Sequence, residues 1–70
     1  MEIEIRDGEE FIKLGQAMKK AGFVGSGVDA KFVIQDGLVK VNGEVDTRRG
    51  RKLYPGDSFE CNGETCIINE

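Results

Sequence analysis

SGVDAKFVIQDGLVKVNGEV, from Ser26 to Val45, changes its hydrophobic period halfway along. Its first part reads as a helix. Ser26, followed three positions later by Asp29, is a capping-box pattern, and Ala30, Val33 and Ile34 fall on one inward face. Gly37 supplies the stop, because glycine takes the left-handed backbone at a helix end without a Cβ penalty. The second part places two strand pieces around Asn42-Gly43, a dipeptide that suits the positive φ angles of a two-residue hairpin turn. A helix handing over directly to a hairpin is the frame for the rest.

Upstream, MEIEIR alternates strictly, with Ile3 and Ile5 on one side and Glu2, Glu4 and Arg6 on the other. That pattern predicts a half-buried strand at a sheet edge, where charge discourages further pairing. A first helix is expected to start at Asp7 or Gly8, with Glu9 and Glu10 complementing the positive end of its dipole. Phe11, Leu14 and Met18 then form its inner face beside Ala17 and Ala21. Lys13, Gln16, Lys19 and Lys20 take the outer face, and Gly22 ends it. Few residues separate the two helices, so they should pack as a pair.

Downstream lies DTRRGRKLYPGD, Asp46 to Asp57, where Arg48, Arg49, Arg51 and Lys52 crowd into five positions. Tyr54-Pro55-Gly56-Asp57 fits a type II turn, with proline then glycine at its centre. Asn62-Gly63 predicts a final hairpin between Ser58–Cys61 and Thr65–Ile68. In that register Cys61 faces Glu64 and Cys66 faces Phe59, which leaves the thiols as diagonal neighbours, a poor disulfide geometry. The cysteines read as buried and free, with a metal shared between two copies as the lesser alternative. No cofactor is implied. The element order, a strand, two helices and then several strands without repeats, is that of an α+β domain spanning residues 1–70.

Seventy residues make one small domain with a thin core and no room to enclose a deep substrate cavity. The chain has no apolar run near the length of a membrane span, and its acidic start lacks the pattern of a secretion signal, so a cytoplasmic location is expected. Its formal charge of −3 conceals a partition: residues 1–10 sum to −4, residues 11–52 to +5 and residues 53–70 to −4. A basic middle between acidic ends can bind phosphate on one face.

Catalytic chemistry finds no support, since the chain has no histidine to serve as a neutral-pH base. Gly22-Phe23-Val24-Gly25-Ser26-Gly27 lacks the Gly-Lys-Ser/Thr ending of a phosphate loop and follows a helix instead of a strand. Gly22-Phe23-Val24-Gly25 matches the GXXG of KH domains by letter, but Phe23 and Val24 suit a tight turn better than a nucleic-acid backbone. The arginine-rich stretch carries the clearest functional signal. A planar guanidinium donates to two phosphate oxygens at once, Gly50 lets the chain bend between donors, and four like charges repel unless relieved. Tyr54 is expected to pack in the core at a strand start rather than to stack on a base.

Lys13-Leu14, Met18, Gly22-Phe23, Ser26, Ala30-Lys31, Ile34, Gly37, Val39, Val41-Asn42-Gly43 and Gly56-Asp57 fall in a familiar order and spacing. Over residues 11–61 the chain resembles the RNA-binding domain named for small-subunit ribosomal protein four, here the S-four domain, and most closely its short stand-alone bacterial members. The resemblance implies two short packed helices with a small, mainly antiparallel sheet. It also implies non-catalytic binding of structured RNA of the ribosomal or transfer RNA class by a monomer, in translation or ribosome maturation and in contact with ribosomal particles. Many S-four domains carry Asp where this chain has Gly15, Lys at Gln16 and Arg at Gly27, so charge has moved from the helices into Arg48–Lys52. Lys13, Lys31, Arg48, Arg49, Arg51 and Lys52 are the expected phosphate contacts, with Ser26 ordering the second helix's N-terminus. The rival reading is a protein-interaction module that keeps the fold and has lost RNA affinity. The acidic ends favour that rival and the clustered arginines oppose it.

Overall fold

The computed structural model describes all residues 1–70. Strand β1 (Glu2–Glu4) is followed by a two-residue strand β2 (Ile12–Lys13), then helices α1 (Leu14–Lys20) and α2 (Gly27–Gln35). Strands β3 (Val39–Val41), β4 (Glu44–Val45), β5 (Lys52–Leu53), β6 (Ser58–Cys61) and β7 (Glu64–Asn69) complete the chain. Five strands form a mixed sheet in the order β1-β7-β6-β3-β4, and β2 pairs with β5 in a separate ladder. Only β1 runs parallel to its neighbour, β7, and it lies at the sheet edge as its alternation predicts.

Local turn chemistry sets most of these boundaries. Asn42 and Gly43, and again Asn62 and Gly63, take positive φ and close two-residue hairpins. The second hairpin pairs Cys61 with Glu64 and Phe59 with Cys66, and both thiols are buried and unbridged. Burial raises the pKa of each, and Glu64 adds to the effect at Cys61. Gly56, at φ +95°, completes the turn closed by the Asp57 N–H on the Tyr54 carbonyl. Ser26 caps α2 through its Oγ, which accepts the Asp29 N–H at 3.2 Å. Gly22 and Gly37 end the helices with positive φ.

The first helix departs from expectation. It begins at Leu14, six or seven residues later than Asp7 or Gly8, and it has no acid in its first turn. Gly8 sits at φ +85° in a turn that the Glu9 N–H closes on the Arg6 carbonyl. Ile12 and Lys13 are then taken by the ladder with Leu53 and Lys52. Helical spacing continues through this region, but partners far along the chain claim its backbone.

Leu14, Ala17 and Met18 of α1 and Ala30 and Ile34 of α2 pack on Val39, Leu53, Phe59, Cys66 and Ile68 in one hydrophobic core. Phe23, from the turn between the helices, meets Phe59 edge-on at 5.5 Å between ring centroids. The GXXG letters thus belong to a core-anchored turn. No helix is long and apolar enough to cross a membrane.

Candidate nucleic-acid interface

Asp46 organises the basic stretch. The β3–β4 ladder delivers it beside β3, where its N–H donates to the Val39 carbonyl and its side chain is only 6% exposed. Arg48 approaches as a two-pronged fork, with Nε at 3.0 Å from Oδ1 and Nη2 at 2.7 Å from Oδ2. The Arg48 N–H adds a third bond to Oδ1, and Arg51 Nη1 a fourth to Oδ2 at 2.8 Å. These hydrogen bonds, the Arg48 side chain's first among them, hold the Asp46 carboxyl well below the ordinary carboxylate range despite its burial. Two of the four clustered cations are therefore tied to a buried carboxylate.

The same turn sends its other arginine elsewhere. The Arg51 N–H closes a turn on the Arg48 carbonyl at 3.1 Å, so Arg48 and Arg51 sit at its base and Arg49 and Gly50 at its tip. The tip crosses the start of α1. The Leu14 N–H donates to the Arg51 carbonyl at 2.8 Å and the Gly15 N–H to the Arg49 carbonyl at 3.0 Å. Loop backbone thus satisfies two amides that a helix start leaves without partners, and no side chain caps α1. The crossing depends on Gly15. A Cβ there would lie 2.6 Å from Arg49 Cγ, well inside van der Waals contact.

Beneath this crossing lies a concavity of about 380 Å³ lined by Lys13, Gly15, Gln16, Lys19, Gly27, Arg49 and Gly50. Three of those residues are cations and none is an acid. Gly15, Gln16 and Gly27, where this chain lacks the charged residues of many S-four domains, all line it. At Gly15 the absent side chain leaves room that Arg49 enters from the loop. On the β2–β5 ladder Lys13 also stands directly opposite Lys52, a like-charge pair that costs stability until an anion relieves it.

Arg48, Arg51 and Lys52 line a second concavity on the loop, together with Gly50, Tyr54 and Asp57. Gly50 belongs to both, so the tip of the turn separates them. Lys52 places its ammonium 4.9 Å from the centre of the Phe11 ring, within cation–π range. Lys31 is exposed and lines neither concavity, while Ser26 serves as the cap of α2. Lys19 and Asp46 were missed as site residues. Lys13, Gln16 and Lys19 share the outer stripe noted in the sequence, and Asp46 is the one acid bordering the cationic run. Lys20, on the same stripe, is diverted to the Glu4 carbonyl.

A two-helix α+β fold with a cationic, acid-free hollow beside a basic turn defines a nucleic-acid-binding class of domain. The model of the S4 domain matches residues 3–69, and the chain belongs to that family. It is 50% identical over 54 residues to the "Probable ribosome maturation protein RlbA" of Bacillus subtilis (strain 168), covering 77% of this chain and 76% of that protein. It is 35% identical over 57 residues to the "Putative RNA-binding protein YbcJ" of Escherichia coli (strain K12), covering 81% of each. The solution structure of YbcJ from E. coli, described as revealing an alfaL motif involved in RNA binding, matches with a TM-score of 0.72 at 28% identity. The match covers 99% of this chain and 86% of that one.

Proposed function

We propose that this protein is a non-catalytic, cytoplasmic RNA-binding module that grips the backbone of a structured RNA of the ribosomal or transfer RNA class, in ribosome maturation or translation. The observation that carries this reading is the convergence of Lys13, Lys19 and Arg49 on a hollow with no acid in its lining. A phosphodiester brings negative charge and paired acceptor oxygens, which match a guanidinium with two ammonium groups beside it. Gly27 and Gly50, open at their Cβ positions, let the RNA backbone approach closely. Kinship with RlbA supports the ribosomal setting, and kinship with YbcJ supports RNA as the partner.

Arg48 and Arg51 contribute less free charge than their number suggests, because one carboxylate is shared between them. Phosphate contacts of this kind position an RNA without reading its bases, so affinity should depend strongly on salt. The test is binding of a ribosomal RNA hairpin by wild type, Arg49→Ala and Lys19→Ala at several salt concentrations. Each substitution is expected to weaken binding and to reduce the log–log salt slope by roughly 0.7 to 0.9. Unchanged affinity and slope in both variants would remove the hollow from the interface.

A further inference from the structure

Tyr54 is not where its sequence context predicts. Instead of packing in the core it is 45% exposed, and its ring rests on half-buried Phe11 at 5.8 Å between centroids and 55° between planes. Phe11 in turn carries the Lys52 ammonium on its ring. The Tyr54 backbone is pinned as well, since its N–H donates to Asp57 Oδ2 at 2.8 Å, while Asp57 Oδ1 accepts from Asn42 Nδ2. The result is a solvent-facing aromatic ring on a rigid turn, buttressed by a second aromatic residue, beside three cations.

We propose that this second concavity, about 790 Å³ and lined by Arg48, Gly50, Arg51, Lys52, Tyr54 and Asp57, takes an unpaired nucleotide of the bound RNA. Its base stacks on Tyr54 and its phosphate lies against Lys52 and the guanidinium edges that Asp46 leaves open. An apolar partner does not fit, because Tyr54 is the one hydrophobic lining residue. A ligand that is flat and aromatic at one end and anionic at the other does fit. The carboxylate of Asp57 is already engaged by Tyr54 and Asn42, which limits its repulsion of a phosphate. Since Gly50 lines both hollows, a strand crossing the tip of the turn reaches the phosphate-binding hollow on one side and the aromatic ring on the other. The preferred RNA is then a helix with an unpaired nucleotide at its end or in a bulge. This deepens the proposed function and rests on it.

The chain has one tyrosine and no tryptophan, so its intrinsic emission reports on Tyr54 alone in the unaltered protein. The probes are a blunt RNA duplex, the same duplex with an oligoadenosine overhang, and adenosine monophosphate. The overhang is expected to quench Tyr54 emission, after correction for RNA absorbance, and to bind about 5- to 150-fold more tightly than the blunt duplex, the range for one base stacked on an aromatic side chain. Tyr54→Phe should keep that preference and Tyr54→Leu should lose it. Equal affinity of wild type for both duplexes, no quenching by the overhang, or a preference that survives in Tyr54→Leu would overturn the stacking site. If Arg49→Ala still weakens binding of both duplexes in that case, RNA binding through the other hollow stands. Quenching by adenosine monophosphate at the same concentrations would make this a free-nucleotide pocket and overturn the RNA assignment. No binding of either duplex at low salt would overturn both readings.

Discussion

Gly15 lacks a side chain at the point where the basic turn crosses α1, and the position of Arg49 follows from that. Alanine there has two opposed effects: it favours the helix by about 1 kcal/mol, and it drives a Cβ into Arg49 Cγ. Gly15→Ala should therefore be neutral to destabilising by up to about 2 kcal/mol while moving Arg49 and weakening RNA binding. In an Arg49→Ala background the obstructing Cγ is gone, and the same substitution should stabilise by up to about 1 kcal/mol. Urea denaturation of the four proteins in this cycle measures the coupling, and equal effects in both backgrounds would mean the contact does not form. Asp46 governs the other two arginines and titrates. Its folded pKa lies below the unfolded value, so its contribution is complete above the unfolded carboxylate pKa, about 4, and is lost as pH falls through the folded one. Asp46→Asn should cost about 2 kcal/mol at neutral pH, a figure held down by the exposure of its partner Arg48. The stability gap between the two proteins should be constant above about pH 5 and shrink below about pH 4. A gap that does not vary with pH would mean that the ionised carboxylate is not what holds the turn.

Elements whose boundaries depend on a local backbone demand were readable in the chain. Gly37, Asn42-Gly43, Pro55-Gly56 and Asn62-Gly63 each need a φ that their own residues announce, and each turns where expected. Ser26 belongs with them: Ser26→Ala should cost about 1 kcal/mol of stability by thermal denaturation, with the RNA salt slope unchanged, since its Oγ is spent on the Asp29 N–H. A changed slope would make Ser26 a phosphate contact in its own right. The start of α1 was not readable, because Leu14 and Gly15 bond to carbonyls of Arg51 and Arg49, far along the chain. Helical spacing of Phe11, Leu14 and Met18 carries no trace of such a partner. The parallel pairing of β1 with β7 is hidden for the same reason. Of the site, the cationic run was visible and its division was not. Which arginines turn to Asp46 and which to α1 depends on the turn that the Arg51 N–H closes on the Arg48 carbonyl. Lys19 and Lys20 look alike on the outer stripe until tertiary structure gives Lys20 to the Glu4 carbonyl.

Across the whole molecule, the net charge of −3 and affinity for a polyanion are compatible because the charge is sorted in space. The acidic ends pair as β1 and β7 at one edge of the sheet, and the cations gather around the turn between β4 and β5. Lys13, Lys19 and Arg49 in one hollow and Arg48, Arg51 and Lys52 in the other, less the carboxylates of Asp46 and Asp57, leave four net positive charges at the interface. Counterion release then sets a log–log salt slope of roughly −2.8 to −3.6 for wild type, at about 0.7 to 0.9 per phosphate neutralised. A Lys13→Gln, Lys19→Gln, Arg49→Gln triple variant removes three of the four, so its slope should fall to roughly −0.7 to −0.9. Lys20→Gln changes the formal charge of the molecule in the same direction but lies outside both hollows, so its slope should match wild type. Fluorescence anisotropy of a labelled ribosomal RNA hairpin between low and moderate salt distinguishes the two cases. A triple variant that follows wild type would remove the hollow from the interface, and a Lys20 variant that loses slope as an Arg49 variant does would show that total charge and not the sorted hollow attracts the RNA.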